Sequence, residues 1–236
     1  MAFELLRTFA SDNGITLSDG QIRQFESFSD MLISRNKVMN LTAITDPAEI
    51  EIKHMIDSVY GAKVISELYD EPFSLLDIGC GAGFPGIPLK IVFPQSRFVL
   101  MDSLNKRISF VNDVIASLKL GNSEGICLRA EDFSEKESFD ICTSRAVAKA
   151  NVLLEYSLPF VKCGGYCLLY KSGNIEDEIK EADNALGILG GELKDIITFE
   201  LPDNSGSRSI VVIKKIKATP EKYPRRAGKP SKSPIK

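Results

Sequence analysis

Residues 75–90, LLDIGCGAGFPGIPLK, set four glycines and two prolines directly behind a short apolar run. Gly79, Gly81 and Gly83 let the backbone turn tightly and let a ligand come close where any Cβ would intrude. Asp77 stands two residues ahead of the first glycine, and Asp102 closes the next β-rich run, 19 residues past Gly83. An acidic residue at that second place can accept hydrogen bonds from ribose hydroxyls. It can equally serve as the N-cap of the helix that follows. The chemistry these residues suggest is the capture of a nucleoside-containing ligand.

Two ligand classes fit a glycine loop of this kind. Gly81-Ala-Gly83-Phe-Pro-Gly86 matches GxGxxG, the dinucleotide fingerprint. That match leaves Gly79 unused, and it sets Asp77 where a dinucleotide strand is usually apolar. Pro85 and Pro88 also crowd the place where a pyrophosphate needs N–H donors, and proline has none. The longer pattern, two apolar residues and then Asp-x-Gly-x-Gly-x-Gly, uses every residue. It resembles the S-adenosylmethionine loop of methyltransferases. That ligand carries an ammonium in place of phosphates, and a nearby carboxylate suits it.

The elements that must position this loop follow from periodicity. The first 70 residues read as helical. Ile22, Phe25, Phe28 and Leu32 share one face, with Ser18 as N-cap. A further helix starts at TDPAEIEIKHMIDS, where Asp46 caps, Pro47 fits the first position and Glu49 has capping-box spacing. Beyond residue 72, short β-rich runs alternate with helical patterns: SLLDI, RFVLMD, GICLRA, FDICTSRA, GGYCLLYK, IITFELP and SIVVIKKI. Alternation of this kind predicts an α/β fold with an open, mostly parallel sheet covered on both faces. PDNSGSR between the last two runs is too short for a crossover, so those two strands form an antiparallel hairpin. This is the seven-stranded, Rossmann-like plan of the class I S-adenosylmethionine-dependent methyltransferases. The expected organisation is a helical extension over residues 1–70, the methyltransferase domain over 71–216 and a basic, proline-rich tail over 217–236.

Across nearly the whole chain the sequence resembles the RsmG (GidB) family of 16S ribosomal RNA guanine-N7 methyltransferases. The resemblance runs through NLTAITDPAEIEIKHMIDS, LLDIGCGAGFPGIPLKI, LMDSLNKRISF, RAED, SRAVA, LLYKSG and TPEKYPRRAGKPSKSPI. It implies methyl transfer from S-adenosyl-L-methionine to N7 of a specific guanine in small-subunit ribosomal RNA, free or within a subunit particle. It also implies that Gly79 and Phe84 line the cofactor site, that Ala130 and Glu131 lie near the adenine, and that Arg145 belongs to the cofactor set. Cys80 is a loop filler. The adenine-N6 enzymes resemble one another in an Asn/Asp-Pro-Pro-Tyr motif after the fourth strand, and this chain reads TSRAVA there. Guanine N7 carries a free in-plane lone pair, so the transfer needs alignment and no general base. Two other readings stand beside this one: a nucleotide-dependent oxidoreductase, and a non-catalytic RNA-binding module on the same fold.

Composition narrows the field. One histidine, His54, excludes mechanisms that need several, and five cysteines without a CxxC pair argue against disulfides and a cysteine zinc site. Four of the cysteines sit in apolar runs and read as small core residues. No metal is expected. No apolar stretch approaches the roughly 20 residues of a membrane span, and the start does not read as a signal peptide. The expectation is therefore a cytoplasmic monomer with no membrane partner. His54 and Asp57, at i and i+3, and Lys171 are the weak catalytic candidates, each with a structural or surface reading beside it. Lys106 and Arg107 occupy the first turn of a helix, an unfavourable place for cations that implies an anion nearby, either RNA phosphate or a protein carboxylate. Net charge is −3 overall, yet residues 214–236 carry nine Lys or Arg against one Glu. That imbalance points to a polyanion. Lys222, Arg225, Arg226, Lys229 and Lys232 join Lys106 and Arg107 as RNA-binding candidates, on a tail its prolines should keep extended. The competing view is a strap packed down by Tyr223 and Ile235.

Overall fold

The computed structural model describes residues 3–70, 72–145, 148–173 and 175–236. Residues 146 and 147 of the TSRAVA stretch therefore lie outside the described residues. Helices α1 (Glu4–Asp12) and α2 (Asp19–Met39) open the chain. Ser18 caps α2 in a reciprocal capping box with Gln21. Helix α3 (Pro47–Ile50) runs without a break through a π-helical turn (Glu51–Ile56) into α4 (Asp57–Leu68). Asp46 accepts the Glu49 N–H as expected, but Glu49 pairs with Lys53 instead of reaching back to complete a box. The π turn had no signal in the sequence, and His54 sits in it.

Strand β1 (Ser74–Ile78), helix α5 (Gly86–Val92), β2 (Arg97–Asp102), α6 (Asn105–Ser117), β3 (Ser123–Cys127) and β4 (Phe139–Arg145) follow. Then come α7 (Ala150–Ser157), β5 (Val161–Ser172), α8 (Glu176–Glu181), α9 (Asp183–Leu189), the hairpin β6 (Gly191–Glu200) and β7 (Ser207–Lys215), and a single turn, α10 (Lys229–Lys232). The sheet has seven strands in the order β3-β2-β1-β4-β5-β7-β6. β1 to β5 are parallel, and β7 runs antiparallel to both of its neighbours. Strand order reverses at β1 and β4, so their carboxyl ends diverge there and leave a crevice. The glycine loop leaves β1 at that point. β3 ends at Cys127, three residues short of the apolar run, because Ala130–Asp132 fold into a 3-10 turn.

Side chains alternate between the two sheet faces. Leu75, Phe98, Leu100 and Ile141 join one core with Phe25, Phe28 and Leu32 of α2 and Ile65 of α4. The N-terminal helices thus share their core with the sheet. Leu76, Val99, Cys142 and Leu169 face the other side and pack on α7 and α9, together with Tyr223 and Ile235. Residues 217–236 are therefore not an extended arm. They fold back on the body and include a helical turn, with Pro230 in its first turn, where a missing N–H costs nothing. Cys80, Cys142 and Cys167 are buried, whereas Cys127 and Cys163 are exposed because they lie at strand ends. Among the described residues no helix is long and apolar enough to cross a membrane, and no group of acidic, histidine or cysteine side chains could hold a metal.

Candidate functional site

The loop behind β1 turns through three left-handed glycines, Gly79 at φ 71°, Gly81 at 57° and Gly83 at 95°. Each serves a different end. Gly79 lines a cavity of about 230 Å³. A Cβ on Gly81 would meet nothing within 4 Å, so this backbone faces open space. A Cβ on Gly83 would lie 2.6 Å from Ile87, which makes Gly83 a packing glycine. Asp102 ties the loop to β2. Its Oδ2 accepts the Gly81 N–H at 3.1 Å and pairs with Arg107 Nη1 at 3.1 Å, and its Oδ1 accepts the Leu104 N–H at 2.9 Å. Asp102 is thus not the N-cap itself, although it steadies the chain entering α6. Oδ1 keeps acceptor capacity, since a carboxylate oxygen has two lone pairs.

Ile78, Gly79, Met101, Asp102, Ser103 and Arg107 form one side of this cavity, and Leu128 to Glu131, Leu153 and Tyr156 form the other. Gly79, Asp102, Ala130 and Glu131 thus line one cavity. Arg107 is not free for RNA: its first-turn cation is matched by Asp102, a carboxylate of the protein. Its Nε is buried without a partner. Lys106 turns away and donates to the Met39 carbonyl at the C-terminus of α2, the favourable end for a cation.

Asp77 departs from expectation. It is fully buried beneath the loop, and its Oδ2 accepts the Gly86 N–H at 2.8 Å. It holds the loop to the start of α5 and does not line the cavity. Burial pushes its carboxyl up to about 7, with the Gly86 bond and Arg145 pulling against that. Burial likewise pushes the Cys80 thiol well up, which disfavours its thiolate.

A second cavity of about 640 Å³ opens at the carboxyl ends of β4 and β5. Arg145 lines this one and not the first. Its Nη1 meets Asp57 Oδ2 at 3.0 Å and its Nη2 meets His54 Nδ1 at 3.1 Å, while the guanidinium lies over the Phe84 ring, 4.9 Å from the centroid. Phe84 is buried and stacks on His54 at 4.5 Å. It joins the glycine loop to the second cavity.

His54 Nε2 lies 2.9 Å from Thr42 Oγ1. Asn36 shapes the loop carrying Thr42 by accepting from the N–H groups of Leu41 and Thr42 and donating to the Thr42 carbonyl. Since Arg145 can only donate, Nδ1 accepts and Nε2 carries the proton. Burial, with Arg145 beside it, lowers the His54 pKa from 6.5 to about 3. The ring is neutral at physiological pH, and both of its nitrogens are engaged. Burial pushes the Asp57 carboxyl up, and Arg145 and Arg208 pull it back.

Lys171 is no idle surface lysine. It is nearly buried in this cavity and donates to the Ala148 carbonyl and to Glu178, each at 2.6 Å. Four cations, Lys53, Arg145, Lys171 and Arg208, face two carboxylates, Asp57 and Glu178. Arg208 had no sequence signal. It arrives only because β7 pairs with β5, setting Arg208 opposite Ser172. Thr42 and Tyr156 were missed for the same reason, being brought in by tertiary contacts alone.

On the tail, Arg225 is also committed. It grips Glu155, a wholly buried carboxylate, through Nε at 2.8 Å and Nη2 at 2.6 Å. Lys222, Arg226, Lys229 and Lys232 remain exposed.

The profile of the GidB family, described as rRNA small subunit methyltransferase G, matches residues 21–210. The ribosomal RNA small subunit methyltransferase G of Acetivibrio thermocellus is 48% identical over 98% of this chain and 96% of its own length. That of Staphylococcus carnosus is 44% identical over 100% and 99%. Among solved structures, TYW2 of M. jannaschii in complex with AdoMet superposes with a TM-score of 0.54 at 18% identity, over 68% of this chain and 77% of that one. A SAM-dependent methyltransferase from Aquifex aeolicus gives 0.54 at 17%, over 74% and 96%. These two similarities establish the class I methyltransferase fold.

Proposed function

The chain belongs to the GidB family, rRNA small subunit methyltransferase G, and on that premise we propose how its two cavities divide the work. The enzyme transfers a methyl group from S-adenosylmethionine to N7 of a guanine in 16S ribosomal RNA. The cavity between the glycine loop and the Ala130–Glu131 turn holds the donor. The cavity at the ends of β4 and β5 receives the guanine. The residues present fit such a donor: an open backbone at Gly81, acceptor capacity on Asp102 and a buried, unpartnered Arg107 Nε.

When bound, S-adenosylmethionine supplies a sulfonium-activated methyl group. The chain's own residues align and exclude water. Guanine N7 is unprotonated at neutral pH and attacks through its in-plane lone pair, so no side chain has to remove a proton. The single observation that carries this reading is the state of His54. The one imidazole near the crevice is neutral, holds a pKa of about 3 and spends both nitrogens on Thr42 and Arg145. Arg145, fixed from three sides, is the group best placed to orient the acceptor.

N7 lies on the major-groove edge, which in A-form RNA is too deep and narrow for side chains. The acceptor must therefore come from a loop or turn out of its stack. The excess of cations around the second cavity suits the phosphates flanking such a nucleotide. We also infer action in the cytoplasm, where a ribosomal RNA substrate is met, and as a monomer, for which the lining of both cavities by residues of this chain suffices.

Arg208→Ala tests the division of work. It should lower kcat/KM for the RNA at least tenfold, about the loss of one charge-assisted contact, and leave S-adenosylhomocysteine affinity unchanged. The reverse pattern would reject the assignment of the cavities.

A further inference from the structure

The sequence leaves the tail between an RNA-binding arm and a strap packed down by Tyr223 and Ile235, and its contacts favour the strap. Thr219 begins it by donating to the Leu189 carbonyl at 2.6 Å, beside the buried Lys215. Tyr223 and Ile235 then enter the core against α7. Between them Arg225 meets Glu155 through its backbone N–H as well as its guanidinium, and it also donates to the Ser233 carbonyl. The same segment reaches two residues that line the cofactor cavity. The Gly228 N–H donates to Glu131 Oε1 at 3.3 Å, and Ser231 Oγ lies 3.4 Å from the Tyr156 hydroxyl. Glu155, the anchor, immediately precedes Tyr156, and Leu153 of the same helix also lines the cavity.

We infer that residues 219–236 are a strap that sets one wall of the cofactor cavity, with Arg225 as its positioning residue. This rests on the cavity assignment above. The physical reason is rigidity. Glu155 is fully buried, so a fork of charge-assisted bonds fixes both its rotamer and the strap. The Glu131 carboxylate and the Tyr156 hydroxyl are then both held by strap atoms. Without the strap those two side chains keep their places in the sequence but lose the partners that point them.

The test uses the full chain and calorimetric titration with S-adenosylhomocysteine, at a temperature where every variant is folded by circular dichroism. Arg225→Ala leaves Glu155 buried without a counter-charge, which can prevent folding. Arg225→Lys keeps the charge and loses the fork. Either variant, if folded, should bind the ligand about two- to thirtyfold more weakly, the range for residues acting through a packed neighbour. A purely structural strap would lower the melting temperature and leave that affinity alone. Wild-type affinity in Arg225→Lys, or in folded Arg225→Ala, overturns the inference. Asp102→Asn separates it from the cavity assignment. If that variant binds like wild type, the cavity assignment fails and this inference with it. If that variant is weakened and the Arg225 variants are not, the strap alone is refuted.

Discussion

Asp102→Asn is the sharpest probe of the cofactor cavity, because one carboxylate carries three contacts there. The amide has nearly the same shape, so no cavity opens. Its oxygen can face Gly81 and Arg107 and leave its NH2 against the Leu104 N–H, or the reverse, which leaves two donors unmet. The first arrangement is the cheaper one. A hydrogen bond to a charged group contributes about 1.5–3 kcal/mol. The Arg107 side chain is 35% exposed, so solvent screens its ionic share. Folding stability should fall by about 1–2 kcal/mol, which lowers Tm by roughly 2–8 °C for a chain of this size. Ligand affinity should fall by about 1–3 kcal/mol, or roughly five- to 150-fold, because the acceptor for the ribose hydroxyls has lost its charge. Calorimetric titration with S-adenosylhomocysteine, paired with a thermal melt, reads both numbers. A lower Tm with unchanged affinity would show that Asp102 only tethers the loop, and the assignment of the cofactor to this cavity would fail.

Gly81→Val should abolish ligand binding and spare most of the fold, since its Cβ would meet nothing in the protein but projects into open space from a backbone at φ 57°; a folded variant with normal affinity would contradict this. Gly61→Ala should cost stability heavily, because its Cβ would fall 1.7 Å from the Tyr170 hydroxyl, which donates to the Ser58 carbonyl, and a Tm within a degree or so of wild type would count against the packing described. Neutral His54 contributes stability that is fully present above pH 6.5 and is lost as pH falls toward about 3. At pH 5 that loss reaches about 2 kcal/mol, so His54→Gln should lose less stability than wild type between pH 7 and 5, and equal losses would refute the shift. Single-turnover rates should show no limb between pH 6 and 9 that His54→Gln removes. Replacing Arg226, Lys229 and Lys232 together by alanine should lower the RNA salt slope by about 2–3 units and leave S-adenosylhomocysteine affinity intact; an unchanged slope would place RNA elsewhere.

The sheet was legible because its strands are near-continuous apolar runs flanked by helices with a clear stripe. The loop was legible because glycines at alternate positions have few uses other than a left-handed turn. What escaped was assembled by tertiary contact. Arg145 could be named from the sequence but not placed, since the side of the crevice it faces depends on His54, Asp57 and Phe84, which come from two other segments. Asp77 looked like a ligand carboxylate because one sequence cannot distinguish a side chain above a loop from one beneath it. The prolines of the tail suggested an extended arm. The signal that decided otherwise was weaker, two apolar residues twelve positions apart, Tyr223 and Ile235, and a buried partner for Arg225 on a helix some seventy residues earlier. Long-range charge pairs of this kind leave no periodic trace.

The central claim is methyl transfer from S-adenosylmethionine to guanine N7 without a catalytic base. Its most direct test is transfer of labelled methyl from the cofactor into 16S ribosomal RNA, offered both as free RNA and within the small subunit, followed by digestion to nucleosides. The label should appear in a single product, 7-methylguanosine, and His54→Gln should still form it at neutral pH. Label in any other nucleoside, or none with either substrate, would contradict it.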